Sequence, residues 1–153
     1  MSVMEHLKIY FQKLDHGSDL PLPQYESSEA AGMDLRAALT EPLILRAGHR
    51  ALVPTGFKMA LPSGYEAQIR PRSGLAWKFG ITMLNSPGTI DSDYRGEVKV
   101  LAINHSEHDF TIHHGDRIAQ MVIAPVIRIT PVSVDQLPES DRSDGGFGST
   151  GVK

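Results

Sequence analysis

Apolar and polar residues alternate in short runs along this chain, and no stretch carries a long 3.6-residue apolar stripe. In HLKIYFQKL, Leu7, Ile9 and Phe11 share one face against His6, Lys8, Tyr10 and Gln12. In YEAQIR, Tyr65, Ala67 and Ile69 alternate with Glu66, Gln68 and Arg70. Period two over such lengths is the mark of half-buried strands. LILRAGHRALVPTGFKMALPSG, GEVKVLAINHS and GDRIAQMVIAPVIRI are similar runs punctuated by Gly, Pro or Asn. Fourteen glycines and ten prolines, spread along the chain rather than clustered, suit short strands joined by tight turns. One brief segment, SGLAWKFG, fits a helix, with Ser73 as N-cap and Gly80 closing it. The expected fold is all-β, a sandwich or barrel with one short helix.

At 153 residues the chain is sized for one domain with a substantial core. A net charge of −3 argues against a general nucleic-acid coat or a membrane-surface protein, but leaves room for a small anionic ligand held by local basic residues. The absence of cysteine rules out disulfides, a thiolate nucleophile and cysteine-based zinc sites. The N-terminal MSVMEHLKIYFQKLDHG has no long apolar core and no small-residue cleavage site, and no apolar run approaches the ~20 residues that span a bilayer. The expectation is a cytoplasmic protein with no membrane partner. DHGSDLPLPQYES reads as an extended arm. From Leu137 onward, LPESDRSDGGFGSTGVK has one aromatic and little else to bury, so it is expected to be mobile when the protein stands alone. The chain therefore divides into a β domain over 1–138 and a tail of that domain over 139–153.

Several stretches admit a plain and a chemical reading. SPGTIDSDYRGE sets Asp91, Asp93 and Glu97 around Tyr94 and Arg95; it is either turn punctuation or a hairpin built to hold a substrate. GGFGSTG is either a flexible terminus or a nucleotide lid. In a lid, glycine-rich N–H groups wrap phosphates, Phe147 stacks on a base and Arg142 clamps an anion. Arg72-Ser73-Gly74 precedes the helix and points N–H groups from a positive dipole end, although Arg70 and Arg72 can equally be solvated strand residues. Gln120, taken alone, is an edge residue or a ligand. Asp34, set among small and apolar residues, needs a partner, and arginine is the natural one; it is either an anchor for a phosphate-binding arginine or part of an outer metal shell. His105, His108, His113 and His114 crowd one region, but their spacing puts neighbours on opposite strand faces, so they read as surface residues rather than metal ligands.

AAGMDLRA, RPRSGLA, GTIDSDYRGEV, GDRIAQ and RSDGGFGSTG resemble, in this order, the five motifs of the homotrimeric dUTP nucleotidohydrolases, the dUTPases. Each is weak alone; five in register from Ala30 to Gly151 are highly specific. One departure is Ser143-Asp144, which stands where the family more often has glycine and a variable residue, and the Asp144 carboxylate would oppose triphosphate closure.

The resemblance implies a distorted jelly-roll β-barrel or sandwich, a homotrimer with a flexible C-terminal arm and three active sites at subunit contacts. Motif three would come from one chain, motifs one, two and four from a second, and the tail from a third. The substrate would be dUTP with Mg²⁺, and the products dUMP and pyrophosphate.

Asn85 to Lys99 would form the hairpin that takes up deoxyuridine. Its main chain, Gly88, Thr89 and Ile90 included, would pair with uracil O2, N3–H and O4, helped by the Asn85 amide. Cytosine would leave buried groups unpaired, which can be worth about 10⁴-fold in rejection. Thymine would not fit, and Tyr94 beneath the deoxyribose would exclude ribose. Asp91 would deprotonate the water that attacks the α-phosphorus, a role typically worth ~10²–10⁴-fold. Arg72, Ser73, Gly74, Gln120, Arg142 and the backbone of Gly148, Ser149 and Thr150 would hold the phosphates. The metal would have no direct protein ligand, Asp34 acting through water or by orienting an arginine. Asp93 would be a turn former and Glu97 a structural partner for Arg95.

Two alternatives are a dCTP deaminase of the same fold and a non-catalytic, nucleotide-gated trimeric binding module. The chain resembles the deaminases less, because it carries the Phe-Gly tail motif and the IDSDYRG hairpin. Intact Asp91 argues against lost catalysis.

Overall fold

The computed structural model describes residues 6–153; the first five, where the N-terminal stretch MSVMEHLKIYFQKLDHG begins, lie outside the described residues. Ten strands and one helix follow in order. They are β1 (Tyr10–Lys13), β2 (Met33–Arg36), β3 (Leu43–Leu45), β4 (Arg50–Ala60), β5 (Tyr65–Arg70), α1 (Ser73–Phe79), β6 (Ile81–Met83), β7 (Gly88–Ile90), β8 (Glu97–Asn104), β9 (Phe110–Ile112) and β10 (Arg117–Pro125). A 3₁₀ turn, Asp15–Gly17, follows β1. Two four-stranded sheets, ordered β1-β4-β8-β6 and β2-β10-β5-β7, and a β3-β9 ribbon form the jelly roll, and every pairing is antiparallel. Among the described residues, no helix is long and apolar enough to cross a membrane.

The alternation seen in the sequence sets the faces. In β8, Val98, Val100, Ala102 and Asn104 point inward while Lys99 is exposed. In β5, Ala67 and Ile69 are buried, and in β10 Ile118, Ala119 and Met121 are. These side chains join Leu35, Val53, Phe57 and Ile112 in one core between the sheets. Asn104 lies fully buried because its amide is fully used: Nδ2 donates to the carbonyls of Leu45 and His108, and Oδ1 accepts from Ser106 N–H.

Three local readings are corrected. The first alternating run becomes a strand only from Tyr10, and Leu7 is exposed, although Ile9 and Phe11 do pack on the core. Ser73 is the first helical residue rather than the cap. The N-cap is Arg72, in extended backbone with no side-chain capping bond, and Gly80 closes the helix at φ 67°. Gln120 is no edge residue, since β10 is flanked by β2 and β5. The last strand ends at Pro125, and residues 126–153 contain no strand or helix. The exposed arm thus begins well before Leu137 and carries Ile127, Ile129 and Val132 in the open.

Candidate active site

Sheet order gathers three of the motifs. Gln120 pairs across the ladder with Asp34 on one side and Arg70 on the other, so motifs one, two and four form one cross-strand row. Because successive residues face opposite sides, burying Met33, Leu35, Ile69 and Met121 turns Asp34, Arg70 and Gln120 away from the core.

The turn after β5 is then pinned from three directions. Arg72 Nε lies 3.1 Å from Asp34 Oδ1, Arg72 Nη1 donates to the Arg117 carbonyl at 3.1 Å, and Gln120 Nε2 donates to the Pro71 carbonyl at 2.9 Å. Arg117 Nη1 stands 3.8 Å from Asp34 Oδ2. Both Asp34 oxygens face arginines, so of its two readings the geometry favours the arginine anchor. Ser73 and Gly74 head the helix with their surface exposed. Arg70, by contrast, is turned onto Gln68, at 2.7 Å from its Oε1. Gly32 was not read from the sequence as part of this cluster. A Cβ there would lie 2.5 Å from Gln120 Oε1, so only glycine leaves room for that amide.

The hairpin builds a second feature. Asn85, Gly88, Thr89, Ile90, Asp91, Tyr94 and Lys99 line one open cleft of about 340 Å³, together with Leu52, Ile69, Glu97 and Val98. A volume in the range of ordinary ligand pockets can take a nucleoside. Asp91 and Asp93 are exposed, and the Asp91 carbonyl accepts the Tyr94 N–H at 3.2 Å, closing the turn. The Tyr94 hydroxyl donates to the Glu97 carbonyl at 2.8 Å. That folds its ring back over Gly96, where a Cβ would stand 2.4 Å from the hydroxyl oxygen.

The reading of Glu97 as a partner for Arg95 is corrected. Arg95 donates to the carbonyls of Ser92 and Tyr94, short bonds within its own turn. The Glu97 carboxylate turns the other way, to His16 Nε2 at 2.6 Å and the Gly56 N–H at 3.0 Å. Gly96 could have been suspected from its place beside a tyrosine. His16 gave no signal, because 81 residues separate it from Glu97.

Within one chain these two features stay apart. Asp91 leaves β7 just beyond the Ala67–Ile90 pair, while Arg72 lies past Arg70 at the other end of β5. At ~3.3 Å per residue, roughly 13 Å or more of strand lies between them. The tail joins neither. Among the described residues, 140–151 hydrogen-bond only with one another, as a run of turns in which Arg142 Nε donates to the Gly145 carbonyl and Phe147 is fully exposed, followed by Gly148, Ser149 and Thr150. Ser143 sits at φ 52°, the left-handed region that glycine occupies without cost.

The clustered histidines are exposed. His114 accepts the Leu39 N–H at Nδ1 and meets Asp19 at Nε2, and this hydrogen bond holds the Asp19 carboxyl below its ordinary value. Among the described residues, no three His, Asp or Glu side chains converge on a possible metal position.

The chain matches the dUTPase family model over residues 18–151. It is 56% identical over 151 residues to the deoxyuridine 5'-triphosphate nucleotidohydrolase of Neorickettsia sennetsu, covering 99% of this chain and 100% of that one. It is 60% identical over 143 residues to the protein of the same name from Rhizobium meliloti, covering 92% and 89%. Its fold is similar to a mutant dUTPase of Staphylococcus bacteriophage 80alpha with dUpNHpp, at a TM-score of 0.85 and 24% identity over 95% of this chain and 99% of that chain. It is also similar to a mutant dUTPase from phage phi11 of S. aureus whose structure details the coordination of a structural Mg(II) ion, at 0.76 and 20% over 86% and 99%.

Proposed function

The chain belongs to the dUTPase family and hydrolyses dUTP to dUMP and pyrophosphate, and on that premise we propose that Asp91 is its general base in active sites assembled from three copies of the chain. The observation that carries the reading is the cleft in which Asn85, Gly88, Thr89, Ile90, Asp91, Tyr94 and Lys99 meet. Deoxyuridine enters this cleft with uracil on the hairpin main chain and the Asn85 amide, and with its sugar against Tyr94.

Asp91, exposed at the end of β7, takes a proton from a water whose oxygen attacks the α-phosphorus. The new O–P bond forms as the bond from the α-phosphorus to the bridging oxygen breaks, and pyrophosphate leaves with that electron pair. The rest of the work is positioning and charge neutralisation. Arg72, Ser73, Gly74 and Gln120 of a second copy hold the triphosphate, with Arg72 already aimed by Asp34. Arg142, Phe147 and the Gly148-Ser149-Thr150 backbone of a third copy close over the nucleotide.

The separation of Asp91 from Arg72 in one chain supports this division of labour, as does a tail that, among the described residues, bonds only to itself. Of these residues Asp34 would help hold Mg²⁺, and only through water, because both its oxygens already face arginines. When bound, the ion offsets triphosphate charge. The same reading assigns the enzyme to the cytoplasm, where dUTP hydrolysis supplies the dTMP precursor and keeps uracil out of DNA.

Subunit complementation tests the assembly. Asp91→Asn with its tail, and a chain truncated after Pro138 with Asp91 intact, should each be inactive as homotrimers. After co-refolding in equal amounts, roughly one quarter of sites should regain both parts if they come from different chains. Verified mixed trimers without recovery would put Asp91 and the tail on the same chain at each site.

A further inference from the structure

Beneath the hairpin lies a joint that the chemistry above does not use. The ladder between β4 and β8 is interrupted between the Pro54–Lys99 and Lys58–Glu97 pairs, and Gly56 sits in this bulge at φ 77°. Its N–H is taken by the Glu97 carboxylate, and its carbonyl accepts the Leu14 N–H at 2.8 Å. The 3₁₀ turn packs directly on it, since a Cβ on Gly17 would lie 2.6 Å from the Gly56 oxygen. From that turn His16 reaches Glu97 at 2.6 Å. The carboxylate is half-buried, at 15% exposure, and is therefore held from two sides with little freedom. Glu97 also lines the cleft, and its own carbonyl receives the Tyr94 hydroxyl. The side chain of one residue is thus clamped to the N-terminal turn while its main chain fixes the tyrosine.

We propose that His16 is a positioning residue for sugar selection: through Glu97 it holds Tyr94 against the deoxyribose, and so disfavours the ribonucleotide. The inference rests on the reading that Tyr94 faces the sugar. Without the His16 donor, the Glu97 carboxylate keeps, among the described residues, the Gly56 N–H alone. The start of β8 can then shift, and the tyrosine gives way to a 2′-hydroxyl. His16 does not line the hairpin cleft, so its loss acts on selectivity and KM more than on kcat.

The test is the ratio of kcat/KM for dUTP to that for UTP. His16→Phe keeps the ring volume without the donor, and the ratio should fall by about tenfold, the size of a lost charge-assisted hydrogen bond. His16→Gln, which keeps a donor, should restore most of it, a rescue that loss of packing alone does not predict. In a Tyr94→Phe background, where the link to Glu97 is already broken, His16→Phe should add nothing. His16→Ala replaces His16→Phe if the phenyl ring prevents folding, with the same fall expected. If Tyr94→Phe lowers the ratio and the His16 variants do not, the proposal is overturned while the placement of Tyr94 stands. If neither moves the ratio, the reading of Tyr94 fails and the proposal fails with it.

Discussion

Gly96→Ala is the smallest change that should disable the hairpin. The new Cβ would lie 2.4 Å from the Tyr94 hydroxyl oxygen, 2.6 Å from Cζ and 3.0 Å from Cε2, whereas ordinary contacts begin at 3.4 Å. The hydroxyl must retreat by about 1 Å, and its 2.8 Å bond to the Glu97 carbonyl breaks. Gly96 does not lie in the left-handed region, so alanine brings no backbone strain, and the clash is the whole perturbation. Loss of one half-exposed neutral hydrogen bond costs about 1 kcal/mol. For a domain of this size that lowers Tm by only ~2–4 °C. Displacing a substrate-positioning ring by ~1 Å can cost ~10²-fold in kcat/KM. Pyrophosphate release at several dUTP concentrations, with a circular dichroism melt on the same preparation, measures both quantities. In a Tyr94→Ala background the obstacle is gone, and Gly96→Ala should have no further effect. Near-parental kcat/KM in the single variant would refute the argument, because it would mean that the ring position does not matter to turnover.

Asp91→Asn should keep the fold and nucleotide binding while turnover falls by ~10²-fold or more; near-normal turnover would remove Asp91 as the base. Truncation after Pro138 should leave Tm nearly unchanged, since no residue beyond it belongs to the buried core, yet abolish most activity. Phe147→Ala should lose less, in line with base stacking worth ~1–3 kcal/mol. A large fall in Tm with little kinetic effect would instead make the tail structural.

The class of fold and the family were legible in the residues alone. Period-two runs such as GEVKVLAINHS could satisfy both a backbone ladder and a core only as half-buried strands, and β8 buries the alternate residues that the pattern marks. Five motifs in register identified the reaction class, because residue types and local spacing are written directly in the chain. Local signals were also limited to what neighbours decide. Ser73 looked like a cap because serine often is one, but the chain enters the helix through an extended Arg72 whose side chain is drawn to Asp34.

Tertiary structure alone decided which partner each charged group found. Arg95 is close to Glu97 in sequence, but a tight turn keeps its guanidinium on local carbonyls. The bulge at Gly56 meanwhile offers the Glu97 carboxylate an unpaired N–H and brings His16 beside it. The same holds for Gly32, which has no signature apart from the Gln120 amide that folds across it. Contacts between residues far apart in sequence depend on where the sheets cross and where a ladder breaks. These are properties of the packed whole, which no run of neighbouring residues encodes.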